Sequence, residues 1–576
     1  MRHFQLRTRQ FNQIQLAWLL LVFIMLVYFV IMGYQSVLRY ETFKATAFDL
    51  GNLDQVLWNT LHGRLFVWTN QGDNWFGPPT RLAQHVEPII IPLSLLYIFH
   101  ADPRILLLFQ TLVLAAGALP VFLLTRKHLP DWPWFAAAMS GAYLISPALL
   151  GINIFDFHPV ALATPLLLYA ILALTYKRYI WFVLACILAG ACKEEIPAVV
   201  ALLGILVIWK YKLPRLGTAL IIFGVVWSIL AVAVIEPHFY PGTQHNTFWY
   251  RYTTLGSTPG AGIVNVVLHP WLLFMTFVTF DRMYYLAGLL RSTGFLALLA
   301  PEWLLPTIPS LAINLLSGDQ LLYSGVYHYN AAIIPFLMMA AIVGMQRVVS
   351  IWQGWRNEST ELSLDGVANS VPKQHKNGHI PLLGRATLAY STMTQIFSTH
   401  PVVTRSVALI QPRLSSVVYK STFPWKRLSE RLSPLAKAIS LPQLHWFACA
   451  WLIAMFTLNY WIVAPNLTVF WATHVPGTHE AAIQQLLTEI PPDVPVSAGT
   501  SLNPHLSERQ YITVFPNITI GNKTVEYVIV DLSTVFPEDR VSTTKVLNQL
   551  RKEQFCTLKM TEDVILLGRR DVVHCP

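Results

Sequence analysis

Apolar windows close to the ~20 residues that a helical membrane span needs recur through the first 350 positions of this 576-residue chain. Inside a bilayer every backbone N–H and C=O must be satisfied by the protein itself, which leaves only helices and closed barrels. The apolar runs are continuous rather than alternating, so a barrel is excluded. Charged residues make up 12% of the chain, well under the ~25% of a soluble domain, and the mean hydropathy is +0.48. The chain therefore reads as mainly α: a polytopic helical membrane protein.

Expected spans lie near 15–38, 87–100, 104–125, 134–150, 160–176, 179–192, 195–211, 215–236, 266–280, 284–300, 302–317, 330–349 and 443–463. Pro92, Pro120, Pro165, Pro197, Pro306, Pro309 and Pro335 interrupt several of them, so eleven to thirteen transmembrane helices are expected. The first stretch is too long for the core of a signal peptide, and no small-residue cleavage site follows it. It is expected to stay as an anchor.

The net charge of +10 is not a nucleic-acid footprint, because its distribution follows membrane topology. Residues 351–440 carry eleven Lys/Arg against four acids, whereas the tail from 464 carries nine against twelve. Basic segments stay cytoplasmic, and the N-terminus with Arg2, Arg7 and Arg9 should be cytoplasmic too. The loop after the first span is then outside, and the span at 443–463 returns the tail to the outer side. The expected location is the plasma membrane.

Three parts emerge. Residues 1–350 form the helical core, with a first external loop over 39–87. Residues 351–442 are basic and irregular; 357–380 reads as a disordered linker, and parts of 381–440 suit amphipathic helices on the inner leaflet. After the span at 443–463, residues 464–576 form a small extramembrane α/β domain. Its β-rich runs are Val494–Ala498, Tyr511–Phe515, Tyr527–Asp531 and a final pair at 555–560 and 563–568, with helical patterns near 477–490 and 541–553. Of five cysteines, Cys186, Cys192 and Cys449 fall in apolar runs and read as buried small hydrophobes. Cys556 and Cys575 lie in the tail, in an oxidising compartment where a bridge can persist.

Ionisable side chains flanking a span are costly to place and usually functional. Asp49 and Asp54 follow the first span, and His85-Val86-Glu87 opens the next apolar run. The segment 48–61 has a competing reading as an interfacial amphipathic anchor, with Asp49 as a helix cap. Asp156 and His158, at i and i+2, point to one side of an extended segment and can share a cation; carboxylate and imidazole suit Mg, Mn or Zn equally. A local hydrogen bond is the plainer alternative. Lys193-Glu194-Glu195 is either a tight turn or a costly charge cluster inside the bundle. Arg251, in an aromatic loop from Tyr240 to Tyr252 with His245, suits phosphate, and Tyr327-His328-Tyr329 opens a further span. The chain has no GxxxxGK[ST] loop, GxSxG elbow, HExxH or paired CxxC.

The motifs Phe48–Gln55, His85–Pro88, Gln110 with Gly117–Pro120, Asp156–Pro159, Lys193–Glu195 and Tyr327–Tyr329 resemble a bacterial and archaeal family of predicted multi-pass membrane proteins of unassigned function. In the tail, Val496–Ala498, Pro504–Arg509 and Tyr527–Asp531 are similar to the same family's end. More remotely, the pattern is similar to the C-type (GT-C) glycosyltransferases, which use polyprenyl-phosphate-linked sugars and carry an acidic residue in the first external loop. Asp49 fits that position, with Asp54 as the alternative. His85–Pro88 is similar to a His-Pro-Pro segment of protein mannosyltransferases, with Glu87 in place of the first Pro.

The resemblance implies a GT-C-like core and a glycosyltransferase acting at the extracytoplasmic face. Asp49 would be the general base, and His85, Glu87, Lys193, Glu194, Arg251 and His328 would bind substrate. A divalent metal on Asp156 and His158 is optional, since some members use one and others none. The partners implied are a polyprenyl-phosphate-linked sugar donor, an acceptor and membrane lipids. The competing functions are a transporter or flippase for a lipid-linked or anionic solute, and a membrane assembly factor. Geometry separates them: a transferase needs Asp49, His85 and Asp156 converging on one outward cavity, a carrier needs a mid-bilayer site, and an assembly factor leaves them scattered.

Overall fold

The computed structural model describes residues 2–70, 79–240, 248–365, 434, 438–561 and 563–575. Among these, five helices are long and apolar enough to cross a membrane: Asn12–Glu41, which is most of α1 (Arg2–Glu41), Pro103–His128, Pro214–Phe239, Ile334–Arg356 and Leu441–Leu467. Two bent pairs raise the number to seven if each is one span, Pro133–Leu144 with Pro147–Ile154 at 46° and Pro259–Leu268 with Trp271–Phe277 at 106°. Pro159–Thr175, Tyr179–Gly190 and Ile196–Tyr211 are apolar but shorter.

Long spans are thus fewer than the eleven to thirteen that the apolar windows suggest, and proline explains much of the difference. It removes a helical N–H and crowds the preceding turn. The bent pairs break at Pro147 and Pro270. The expected span at 87–100 is a short helix, Ile90–Ser94, containing Pro92 and followed by a 3-10 turn. The expected span at 302–317 divides between Pro306 and Pro309. Where helices do run side by side, small residues let them approach: a Cβ on Gly204 would lie 2.6 Å from the Gly217 carbonyl oxygen of the next helix. The helix Pro214–Phe239 leaves Ile222, Val226 and Ile229 exposed, the surface a lipid phase would cover.

The chain divides into two compact units, Met1–Met345 with Ala448–Pro576, and Gln346–Phe447. The tail expected as a separate part at 464–576 therefore belongs to the unit that holds the helical core. In the second unit, Trp352 Nε1 and Arg356 Nη1 both donate to the Ile439 carbonyl, at 3.3 and 3.1 Å. The helix Ile334–Asp365 extends into the stretch at 357–380 that reads as a linker. The rest of that stretch, and most of 381–440, lie outside the described residues.

The tail follows its sequence pattern closely. Strands β1 (Val496–Ala498), β2 (Ile512–Val514), β5 (Tyr527–Asp531), β6 (Phe555–Met560) and β7 (Val564–Arg569) form one sheet in the order β2-β1-β5-β7-β6. Here β3 (Thr519–Ile520) and β4 (Lys523–Thr524) make a separate hairpin. β1 is parallel to β2 and β5, while β7 is antiparallel to β5 and β6. Successive strand residues face opposite sides. Ile529 and Leu566 pack with Ile483 and Leu487 of one helix, while Val528, Val530 and Leu567 pack with Leu547 and Leu550 of another. Phe43, just past α1, is buried in the first of these clusters. Cys556 and Cys575 are bonded to each other, and Cys186, Cys192 and Cys449 are free and buried.

Candidate active site

After α1 the chain reverses at Phe43, which holds a left-handed φ of 53°. It then enters a π-helical turn over Ala47–Gly51 that runs directly into α2 (Asn52–Leu61). The interfacial anchor considered for 48–61 is not what forms. Most of α2, including Leu53, Asp54, Gln55, Val56, Leu57 and Asn59, is buried. Nor is Asp49 a cap, since Gly51 occupies that position. Its carboxylate instead faces His158, with Oδ1 3.1 Å from Nε2.

His158 is held there by its neighbours. Gln110 accepts from the His158 amide at 3.0 Å and donates to the Asp156 carbonyl at 2.9 Å. Asp156 sits at a left-handed φ of 51°, a region that Asp tolerates better than most residues. Its carboxylate takes Arg39 Nε at 3.1 Å and the Thr46 amide at 3.3 Å. Asp156 thereby ties the end of α1 to the turn that presents His158. The pair considered as metal ligands is split, because Asp156 turns to Arg39 while His158 turns to Asp49. Among the described residues no three His, Cys, Asp or Glu side chains gather as a metal set.

Asp49 and His158 line a cavity of about 880 Å³ together with His85, Glu87, Lys193, Glu194, Arg251 and His328. The His328 ring stacks on His158 with centroids 4.0 Å apart. Nδ1 of each ring is buried with no partner among the described residues. Buried polar atoms rarely stay unpaired in a native protein. Elsewhere in the lining, His85 Nδ1 lies 3.0 Å from Glu194 Oε1, and its ring stacks on Phe248. Lys193 Nζ lies 3.2 Å from Glu195 Oε2, and Arg251 Nε 3.2 Å from Asp319 Oδ2. Both cations stand over Tyr329, at 5.9 and 6.0 Å. The remaining wall is apolar, with Val232 from the long helix Pro214–Phe239 and Ala312, Ile313 and Leu316 from a shorter one.

Charge is set by this arrangement. Burial alone would raise the Asp49 carboxyl, but His158, Arg81 and Arg39 outweigh it and hold it below the usual range, so Asp49 is ionised. Glu194 is lowered to about 2 because His85 and Lys193 overcome the effect of burial. For Lys193 burial disfavours the charge, yet Glu195 and Glu194 leave its pKa raised. His328 is pushed well below its ordinary value by burial and by His158 and Lys193, so its ring is neutral. The result is a cavity lined by an ionised Asp49 and by two cations, Lys193 and Arg251, each with a carboxylate partner.

Asp54, the alternative acid, is elsewhere. It is fully buried, accepts from the Tyr97 hydroxyl, and accepts from the Ser507 hydroxyl at 2.6 Å. Burial and the nearby Glu508 raise its pKa well above the carboxylate range. Asp54 is thus a buried, double-accepting carboxyl that does not line the cavity and ties α2 to Ser507 of the tail. Arg81 lines the cavity without having stood out in the sequence, and Glu195, part of the Lys193-Glu194-Glu195 cluster, lines it too. Arg81 belongs to a Thr80–Arg81 step with no motif around it, and pairs with Glu87 at 2.8 Å. His245 lies outside the described residues.

No curated protein sequence matches this chain. Among solved structures, ArnT from Cupriavidus metallidurans bound to undecaprenyl phosphate is similar at a TM-score of 0.44 and 12% identity, over 96% of this chain and 97% of that one. The archaeal oligosaccharyltransferase AglB from Archaeoglobus fulgidus, in complex with an inhibitory peptide and a dolichol-phosphate, is similar at 0.35 and 12% identity, over 96% and 75%. The family model described as "Predicted membrane protein (DUF2079)" matches residues 39–365 and 414–565. With most of its length matched, and helices long and apolar enough to cross a bilayer, the chain belongs to that family of membrane proteins.

Proposed function

We propose that the protein is an integral-membrane glycosyltransferase that moves a sugar from a polyprenyl-phosphate donor to a hydroxyl acceptor, with Asp49 as the general base. One observation carries this reading. An ionised carboxylate, Lys193 and Arg251 line a single cavity, and part of its apolar wall comes from a helix long enough to span a membrane. A water-soluble substrate has no use for such a wall, whereas a lipid-borne phosphate needs both cations and apolar surface.

In the reaction, Asp49 takes the proton of the acceptor hydroxyl as that oxygen bonds to the anomeric carbon. The bond from that carbon to the phosphate oxygen breaks, and the electron pair leaves with the polyprenyl phosphate. The charge gathering on that phosphate is met by Lys193 and Arg251, groups already oriented by Glu195 and Asp319. His158 fixes the Asp49 carboxylate, and Glu194 fixes His85 in the same lining. Phe248, Trp249, Tyr250 and Tyr329 offer ring faces for the sugar. By the distribution of basic residues, the N-terminus lies in the cytoplasm, and the Asp49 loop and the tail lie outside.

The test is to incubate the protein, purified in lipid nanodiscs, with labelled polyprenyl-phosphate sugars and a panel of hydroxyl acceptors. Label should pass to an acceptor with the wild type and not with Asp49→Asn. Transfer that persists in the variant would remove Asp49 from the base role. No transfer with any donor, together with movement of the lipid-linked solute across proteoliposome membranes, would make the protein a carrier.

A further inference from the structure

The turn that carries Asp49 is not held by the helical core alone. The Ala47 amide donates to the Thr500 carbonyl at 2.9 Å, which fixes the first residue of the turn to the loop after β1. At its other end, Gly51 lies directly on Asn503. A Cβ added to Gly51 would stand 2.5 Å from Asn503 Oδ1, closer than real side-chain carbons come. Asn503 and Asn70 pair amide to amide, each donating to the other at 2.6 Å, and the Asn70 amide group also lies 3.3 Å from the Ala47 carbonyl. Both Asn503 and Asn70 are almost wholly buried. Gln55, one turn along α2, accepts from the Thr69 and Asn70 amides and donates to the Arg509 and Gln510 carbonyls. The backbone around Asp49 thus closes onto residues 500–510 of the tail at both ends of a five-residue turn.

We propose that Asn503 is a positioning residue for Asp49, and that the C-terminal domain is a working part of the active site rather than an appendage. This rests on the transferase reading above. A π-helical turn is a rare backbone form, found mostly as single-turn insertions at functional sites, and it persists only where its surroundings over-determine it. Here the determining groups are the Thr500 carbonyl and the Asn503–Asn70 pair. They touch neither the cavity nor any group that would meet substrate, so their effect passes through the direction in which the Asp49 carboxylate points. A misplacement on the order of 1 Å of a reacting group costs about 10²-fold in rate. Thr500, Asn503 and Asn70 do not line the cavity that holds Lys193 and Arg251, so donor binding there is left alone.

Steady-state kinetics of the full chain in nanodiscs test this with Asn503→Ala, Gly51→Ala and the double variant. Asn503→Ala should lower kcat by at least about tenfold with the donor KM within about twofold of the wild type. Gly51→Ala should do the same or worse. In the double variant the colliding oxygen is gone, so its activity should equal that of Asn503→Ala rather than the product of the two losses. A kcat for Asn503→Ala equal to the wild type would overturn the proposal. So would parallel losses of kcat, donor KM and melting temperature, or strictly multiplicative losses in the double variant. Absence of transfer in the wild type would instead remove the transferase reading itself, and is seen before any variant is made.

Discussion

Asp49 and Asp54 stand five residues apart on one short segment, and in the sequence they are equivalent acids following a membrane span. In the structure they lie in opposite surroundings. The first faces a cavity, bonds to His158 and is ionised; the second is enclosed between Tyr97 and Ser507 with its carboxyl raised well above the ordinary range. The segment thus has two faces, one toward the cavity and one toward the tail. Ionisation decides which acid can take a proton, and ionisation is set by the partners each face meets. Histidine and arginine surround one, while buried hydroxyls and a second carboxyl, Glu508, surround the other.

Removing the acid on each face therefore has a different signature. Asp49→Asn should lower kcat by about 10²–10⁴-fold while leaving the melting temperature near that of the wild type. Asp54→Ala should do the reverse, costing about 1–3 kcal/mol of stability in thermal or denaturant unfolding, because the Tyr97 hydroxyl loses its acceptor. Its activity per folded molecule should change little. Across the cavity, Arg251→Ala should raise the donor KM about tenfold, as loss of a charge-assisted contact implies, with a smaller effect on kcat. Arg251→Lys should fall between, since it keeps the charge and loses the planar fork.

The smallest effect is a pH dependence at the tail face. Glu508 is raised to about 7 by burial and by Asp102, against Arg104 nearby, and it faces Asp54 as well. A carboxyl with a raised folded pKa contributes stability that is complete below its unfolded value, near 4.5, and is lost as pH rises through about 7. The melting temperature should therefore decline between about pH 5 and pH 8. Glu508→Gln should flatten that decline.

Much of the molecule is legible from the chain. The β-rich run Tyr527–Asp531 and the helical pattern near 477–490 announce a strand and the helix that covers it, and both form. The acid, imidazole and cation clusters at 49, 85–87, 158, 193–194, 251 and 328 are visible as polar interruptions of apolar runs, and one cavity gathers them. Other features have no local mark. The pairing of Asp156 with Arg39 spans 117 positions, so nothing in the Asp-x-His step shows that its acid braces α1 while its imidazole meets Asp49. Arg81 and Asn503 look like ordinary loop residues, because what they do depends on Glu87 and Gly51 brought to them by the fold. The bends at Pro147 and Pro270 have no mark in a window of hydropathy either.

Binding and chemistry can be separated in one sample by loading wild type and Asp49→Asn, in nanodiscs, with the same labelled polyprenyl-phosphate sugar and following a single turnover after acceptor is added. Equal donor loading with transfer lost only in the variant is expected if Asp49 is the base in this cavity. Transfer at the same rate in both proteins would contradict it, and the carboxylate facing His158 would then have to be assigned another role.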